Sequence, residues 1–246
     1  MIINSKIRIN SDLGEGTGVE KDIMPFLNSC SIACGGHTGD KSSMTDTILI
    51  AKKYDVNIGA HPSYPDKENF GRKNISISNA DLSNSLMSQI DDLERIARSL
   101  ETSLDHIKMH GALYNFSAND LETASIIIEL MRSKYSDKIL YVPYGSLISE
   151  LAIENNIKIY YEVFLDRNYN NDLSLVSREN NNSMILDYQK MLKRLENVIN
   201  DNKIQTIGGD YKEISADTFC VHGDSPKIIS LMKDLFNNRN KINLNN

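Results

Sequence analysis

The amino-acid sequence predicts an α/β fold: a TIM-like (β/α) barrel of about seven parallel strands with a polar interior. Three observations carry this prediction. Short apolar strands alternate with amphipathic helical stretches, as a parallel sheet with helical crossovers requires. No dinucleotide-binding fingerprint is present, which favours a closed or nearly closed barrel over an open Rossmann sheet. Within the strands, one parity is apolar and the other polar, and the apolar parity must meet the helices.

The first strand is expected over 6–10, with Ile7 and Ile9 on one face and Arg8, Asn10 and Asp12 on the other. A second strand at 31–33 leads into a glycine-rich turn. A helix then opens at Asp40 or Ser42 and runs to about Tyr54, with Ile48 and Ala51 on its apolar side. In the third strand, 57–60, Ile58 and Ala60 oppose Asn57, Gly59 and His61. The helix over 79–100 spaces Leu82, Leu86, Ile90, Leu93 and Ala97 for burial. The fourth strand, 107–109, sets Ile107 and Met109 against His106, Lys108 and His110. Helices at 121–133, 146–155, 187–200 and 226–236 alternate with strands at 139–142, 158–164 and 218–221. In the last of these, Phe219 and Val221 oppose Thr218, Cys220 and His222. The asparagine-rich segment 168–182 and the last ten residues read as loops. No repeat or linker divides the chain, so 1–246 is expected to be one domain. An ordinary barrel interior is packed with branched apolar residues. Polar rows in that place must be paired or used.

At 246 residues, with 40% hydrophobic and 24% charged residues, the chain suits one soluble core. A net charge of -6 without a basic stripe argues against a nucleic-acid partner. No apolar run approaches the roughly 18 residues of a membrane span, and MIINSKIRIN lacks a signal-peptide layout. Three cysteines without a disulfide rhythm point to the reducing cytoplasm.

Four of the five histidines, His37, His61, His110 and His222, follow apolar strands at glycine- or proline-marked turns. Histidine exchanges protons near neutral pH, so this placement suggests one active site assembled from several strand ends. NSDLGEG offers Asp12 and Glu15 there, with Asn10 on the same inward row. CGGHTGDKS approaches a phosphate-binding loop, but Asp40 takes the place of its second glycine and would repel phosphate. Asp40 instead suits a helix cap. His37 is the functional candidate in that segment, while Cys34 reads as a small buried residue. Beyond His61, a proline-stiffened loop leads to Arg72, which can grip a carboxylate through two hydrogen bonds. An inward Lys108 needs a carboxylate, for which Asp12, Glu15 and Glu162 are candidates. His106, at the strand start, reads as structural, and Asn115 follows in the same segment. EVFLDRNY supplies Glu162, Asp166 and Arg167, with Arg178 further on; CVHGD supplies His222 and Asp224.

NSDLGEG, IACGGHTGD, IGAHPSYPD with FGR, HIKMHGALYN, EVFLDRNY and CVHGD occur in this order over roughly residues 7–225, and together they resemble the LamB/YcsF family. The resemblance implies a seven-stranded TIM-like barrel that serves as the A subunit of a bacterial 5-oxoprolinase. It implies ATP-dependent opening of 5-oxoproline to L-glutamate with the B and C subunits as partners. Without a phosphate-binding loop here, the ATP is expected to be handled largely by those partners. Gly36 stands where the family pattern has an aromatic, Met109 where it has proline, and Lys73 where it has a second arginine. A glycine expected near Asn171 or Asp172 is absent. On this reading Asp12 or Glu15, with a histidine, activates water. Lys108 stabilises the negative oxygen, His110 or His222 protonates the ring nitrogen, and Arg72, Arg167 and Arg178 are candidates for the substrate carboxylate. Two other classes compete. One is a metal-dependent deacetylase or amidohydrolase with zinc on His61, His110 and Asp12; the residues leave a divalent metal open. The other is a non-catalytic chain that only binds substrate.

Overall fold

The computed structural model describes residues 7–222, 226–238 and 242. Its strands are β1 (Ile9–Leu13), β2 (Ser29–Ala33), β3 (Asn57–His61), β4 (His106–Lys108), β5 (Ile139–Pro143), β6 (Ile159–Phe164), β7 (Lys203–Gln205), β8 (Tyr211–Glu213) and β9 (Thr218–Cys220). Seven of them close into an all-parallel barrel in the order β1-β2-β3-β4-β5-β6-β9, with β9 pairing both β6 and β1. This is the TIM-like architecture expected. Strands β7 and β8 form a separate antiparallel pair.

The helices are α1 (Glu20–Ile23), α2 (Lys41–Tyr54), α3 (Asn79–Ser99), α4 (Gly111–Ser117), α5 (Leu121–Lys134), α6 (Leu147–Glu154), α7 (Tyr188–Asp201) and α8 (Pro226–Asn237). Asp40 caps α2 through a reciprocal box with Ser43, the role its position suggested. Ser78, Asp120, Ser146 and Asp187 cap α3, α5, α6 and α7, each side chain accepting a backbone N–H of the first turn. The apolar stripe of α3 is buried throughout, and it joins outward-facing Ile58, Ala60, Ile107 and Leu140 in one continuous core. None of the described helices is long and apolar enough to cross a membrane.

Inside the barrel the side chains are polar and matched. Asn10 donates to Thr218 Oγ1 at 2.9 Å, Ser29 meets the Tyr141 hydroxyl at 3.1 Å, and Ser31 meets His106 Nε2 at 3.1 Å. A Cβ on Gly59 would lie 2.3 Å from His106 Nε2, so the imidazole crossing from β4 requires glycine on β3.

Several boundaries differ from expectation. The first strand was expected over 6–10 and instead occupies Ile9–Leu13, so Asp12 lies within it; Lys6 falls outside the described residues. Its polar run Asn10-Ser11-Asp12 looks like a loop in isolation, but it pairs with β2 from Asn10↔Ser29 to Leu13↔Ile32, and Asn10 and Asp12 face the polar interior. Strand β2 gains Ser29 and Cys30 for the same reason. The β7–β8 pair, α1 and α4 were not foreseen, being too short to show a period.

Candidate active site

Each functional side chain sits where a barrel strand ends or just beyond it. His61 is the last residue of β3, and its Nδ1–H donates to the Lys108 carbonyl at 2.8 Å. His110 follows β4 by two residues, and its Nε2–H donates to the Phe70 carbonyl at 3.0 Å. A carbonyl only accepts, so these two bonds fix both tautomers. His61 Nε2 and His110 Nδ1 are left facing each other at 3.0 Å. Glu15, in the turn after β1, places Oε1 3.4 Å from His110 Nδ1 and 3.9 Å from His61 Nε2. His37 lies behind them, stacked on His110 with ring centroids 3.6 Å apart, and its Nε2 is 3.2 Å from Glu15 Oε1. Burial pushes His37 down to about 3, and His110 well below the usual imidazole range.

Beneath this group lies Lys108, 1% exposed. Its ammonium is 2.8 Å from Glu162 Oε1, 3.0 Å from Asp12 Oδ1 and 3.3 Å from Cys220 Sγ. Burial disfavours its charge, but Asp12, Cys220 and Glu162 outweigh that and hold its pKa well above the ordinary lysine value. Burial likewise raises Asp12, whereas His61 and Lys108 overcome it and hold the carboxyl well below its usual value. Asp12 Oδ2 is also 3.3 Å from His61 Nε2.

Across the mouth, Asp166 accepts the His222 backbone N–H at 2.7 Å and sits 3.0 Å from its Nδ1. Nδ1 thus carries the proton given to the carboxylate, and Nε2 remains for a ligand. Burial raises Asp166, but the His222 contacts outweigh it and keep the carboxyl below its ordinary value. Phe164 stacks on the His222 ring at 5.5 Å between centroids.

These groups border a cavity of about 830 Å³. Asp12, Glu15, His61, Lys108, His110 and His222 all reach it, as do Arg72, Arg167, Arg178 and Asn115. Other candidates lie off the cavity wall. Asn10, Glu162 and Asp166, candidates for contact with substrate, are buried off the cavity wall and engage Thr218, Lys108 and His222 respectively; Glu162 is thus one of the carboxylates that the inward Lys108 was expected to need. His37, expected to be catalytic, supports Glu15 and His110 from behind. Asp224 lies outside the described residues. His106 is structural as expected, stacked on Tyr141 with centroids 4.1 Å apart. Lys73 keeps a cation at the cavity where the family pattern has arginine. Gly36 is confined: a Cβ there would lie 2.4 Å from both Gln89 Oε1 and Ser63 Oγ. The α3 residue Gln89, bonded to the Ser63 backbone N–H and carbonyl, fills that space.

Sequence reasoning undervalued the segment after β6. It folds back through bridges Arg167↔Met184 and Tyr169↔Leu175 and supplies Asn170, Leu173, Ser174 and Val176 to the cavity. The α7 residue Arg194 holds it by donating to the carbonyls of Phe164 and Arg167. Arg167 donates to the Val176 carbonyl at 2.6 Å, and burial lowers its pKa to about 10, leaving it charged at neutral pH. Tyr114 and Tyr144 also reach the cavity. The only signal for this wall was the length of the loop, which asparagine-rich composition masked.

Comparison with known proteins agrees with the motifs. The LamB/YcsF family model matches residues 7–245. The 5-oxoprolinase A subunit of Pyrococcus horikoshii is 35% identical over 231 residues, covering 92% of this chain and 91% of that protein. Its counterpart from Campylobacter jejuni subsp. doylei is 37% identical over 242 residues, covering 96% and 94%. The crystal structure of a lactam utilization protein from Thermus thermophilus superposes with a TM-score of 0.86 at 27% identity, covering 97% of this chain and 98% of that one. Motif order, barrel topology and these likenesses over nearly the whole length show that the chain belongs to the LamB/YcsF family.

Proposed function

We propose that the cavity opens the lactam ring of 5-oxoproline to give L-glutamate, with ATP handled by partner B and C subunits. The observation that carries this reading is one cavity bordered by three arginines and by paired acid–base groups. The substrate is a small cyclic amide bearing a carboxylate. Arg72, Arg167 and Arg178 suit that carboxylate, and the mouth of the barrel suits the amide.

Ring opening adds water across the amide. The water oxygen bonds to the carbonyl carbon, the C–N bond breaks, and the nitrogen takes a proton. Glu15, within reach of three imidazoles, receives the proton from water. Lys108, held charged by Asp12 and Glu162, stabilises the negative oxygen. His222 delivers the proton to the nitrogen through Nε2, since Asp166 orients its ring and stabilises the imidazolium. His110 is unsuited to that task because Nε2 is bound to Phe70 and Nδ1 faces His61. ATP is cleaved to ADP and phosphate with a second water to drive opening of the stabilised lactam, and this chain shows no phosphate-binding loop pattern in its sequence. The cytoplasm is the proposed location, Cys30, Cys34 and Cys220 all being unpaired.

The test is glutamate release from 5-oxoproline and ATP, by this chain alone and with the B and C subunits. Turnover is expected only with the complete set, and His222→Gln should abolish it without preventing assembly. A complete, folded set that makes no glutamate overturns the proposal. So does a set that turns over equally fast without this chain.

A further inference from the structure

The hydrogen bonds that fix the two mouth imidazoles create an electrostatic problem. His61 Nδ1–H and His110 Nε2–H are committed to backbone carbonyls, so the opposite nitrogens present lone pairs to each other at 3.0 Å. Glu15 Oε1 adds further negative density at 3.4 Å from one and 3.9 Å from the other. Asp12 Oδ2 closes the group at 3.3 Å from His61 Nε2. Three carboxylates, Asp12, Glu15 and Glu162, converge on this end of the barrel, and Lys108 is the ammonium among them. Lys108 is shared by Asp12 and Glu162, whereas the Glu15 carboxylate is turned toward imidazole nitrogens that present lone pairs. Buried charge of that kind requires a counter-charge.

We propose that His61 Nε2, His110 Nδ1 and Glu15 Oε1 hold a divalent first-row transition-metal ion, with Asp12 beside it and the remaining position open to the cavity. Two imidazoles, a carboxylate and an open position are the donor set of catalytic zinc sites. Donors about 2.1 Å from a tetrahedral ion lie about 3.4 Å apart. The observed separations of 3.0, 3.4 and 3.9 Å bracket that value. The surroundings match as well. The far nitrogens of both imidazoles are bonded to carbonyls and His37 Nε2 holds Glu15, which is how outer residues orient metal ligands. The set differs from the zinc ligands expected from sequence, because Asp12 is drawn to Lys108 and Glu15 takes its place. Such an ion would acidify a bound water or polarise the lactam carbonyl, with Glu15 bound through Oε1 and its second oxygen left to take the water proton. Its chemical role therefore rests on the proposed lactam reaction, whereas its binding does not.

The experiment measures binding. Chelator-treated protein is titrated with Zn²⁺ by calorimetry and with Co²⁺ by visible absorption, with thermal melting alongside. The expected result is a single equivalent bound, a tetrahedral Co²⁺ spectrum, and a melting temperature raised by metal. His61→Ala and His110→Ala should each weaken binding by more than about 100-fold, beyond the 10–100-fold typical of residues that only orient a ligand. Glu15→Gln should weaken it at least about 10-fold. His222→Gln should leave metal affinity unchanged. Folding of each variant is verified by circular dichroism. Folded wild-type protein that binds neither ion overturns the proposal and leaves a proton shared between the two imidazoles as the counter-charge. Binding that survives both histidine substitutions overturns it too. Neither result touches the glutamate assay, so failure of the metal site and failure of the lactam reading are distinguishable.

Discussion

Replacing Lys108 by methionine keeps the volume and removes the charge, which leaves Asp12 and Glu162 facing each other without their ammonium. At an effective dielectric of about 20, each contact near 3 Å is worth about 5–6 kcal/mol of gross attraction. The net cost of the substitution is smaller, because one carboxylate can escape by taking up a proton. Protonating a carboxyl of ordinary pKa about 4.3 at pH 7 costs about 3.7 kcal/mol. That value limits the loss and agrees with the 3–5 kcal/mol typical of breaking a buried pair. The cost of protonation falls by about 1.4 kcal/mol per pH unit, so at pH 5 only about 1 kcal/mol remains. Urea unfolding of metal-free wild type and Lys108→Met at both pH values checks this. The variant should lose about 4 kcal/mol at pH 7 and recover most of it at pH 5. The wild-type pair behaves oppositely. Raised Lys108 contributes fully below the unfolded lysine pKa and loses its contribution only as pH rises toward its folded value. Depressed Asp12 contributes fully above the unfolded carboxyl pKa, and its contribution is lost as pH falls. A penalty that is the same at both pH values would refute the reasoning, since the uncompensated carboxylates would then not be its source.

Other consequences follow from the same contacts. Asp166→Asn should lower kcat of the assembled complex by about 10²–10⁴-fold with little change in KM, because it removes the negative charge that stabilises the His222 imidazolium and one of the two oxygens that orient the ring; steady-state kinetics that show only a KM effect would reject that role. Arg178→Ala should raise KM for 5-oxoproline by about 10–100-fold, the loss of one charged hydrogen bond, and an unchanged KM would exclude it from the carboxylate site. Acid should destabilise metal-free protein well above the carboxyl range. His37 titrates at about 3 when folded and near 6.5 when unfolded, so between those values the unfolded chain binds more protons and stability falls as pH falls. His37 alone should cost about 1.2 kcal/mol by pH 5.5, and His106 and His110, both lowered, act in the same direction. Denaturation midpoints that stay level from pH 7 to 5.5 would contradict this.

The barrel was legible because parity in the strands survives any error of a few residues in their ends. Ile58 and Ala60 face the helices and Gly59 and His61 the interior, whichever residue ends β3. What one sequence could not reveal was which inward polar group meets solvent and which is spent on a neighbour. Asp166 and His222 are both polar and both sit past strand ends. Only the fold shows that the first is consumed in holding the second. The same holds for Glu162 beneath Lys108 and His37 behind His110. The cavity wall after β6 was illegible for a different reason. It is made by bridges such as Tyr169↔Leu175 and by Arg194, which comes from a helix more than twenty residues later and leaves no local period.

The inward rows are ordered by depth, and the order explains why this interior can be polar at all. Toward the start of the strands, neutral groups satisfy each other: Asn10 with Thr218, Ser29 with Tyr141, Ser31 with His106. Two residues further along β1, β4 and β9 come Asp12, Lys108 and Cys220, and Glu162 on β6 pairs with the same ammonium. Another step reaches the imidazoles of His110 and His222, which border the cavity. A charge placed in the lowest layer would lie far from water and from any counter-charge, at a cost of several kcal/mol. At the mouth, neutral pairs would satisfy each other and leave nothing to meet a ligand. Lys108 joins the two regimes. Its ammonium is anchored by carboxylates below the cavity while still reaching it, and its own backbone carbonyl fixes the tautomer of His61. One residue of β4 therefore sets both the charge beneath the site, through its side chain, and the orientation of an imidazole within it, through its backbone; an apolar side chain at 108 would remove the charge and keep the carbonyl that orients His61.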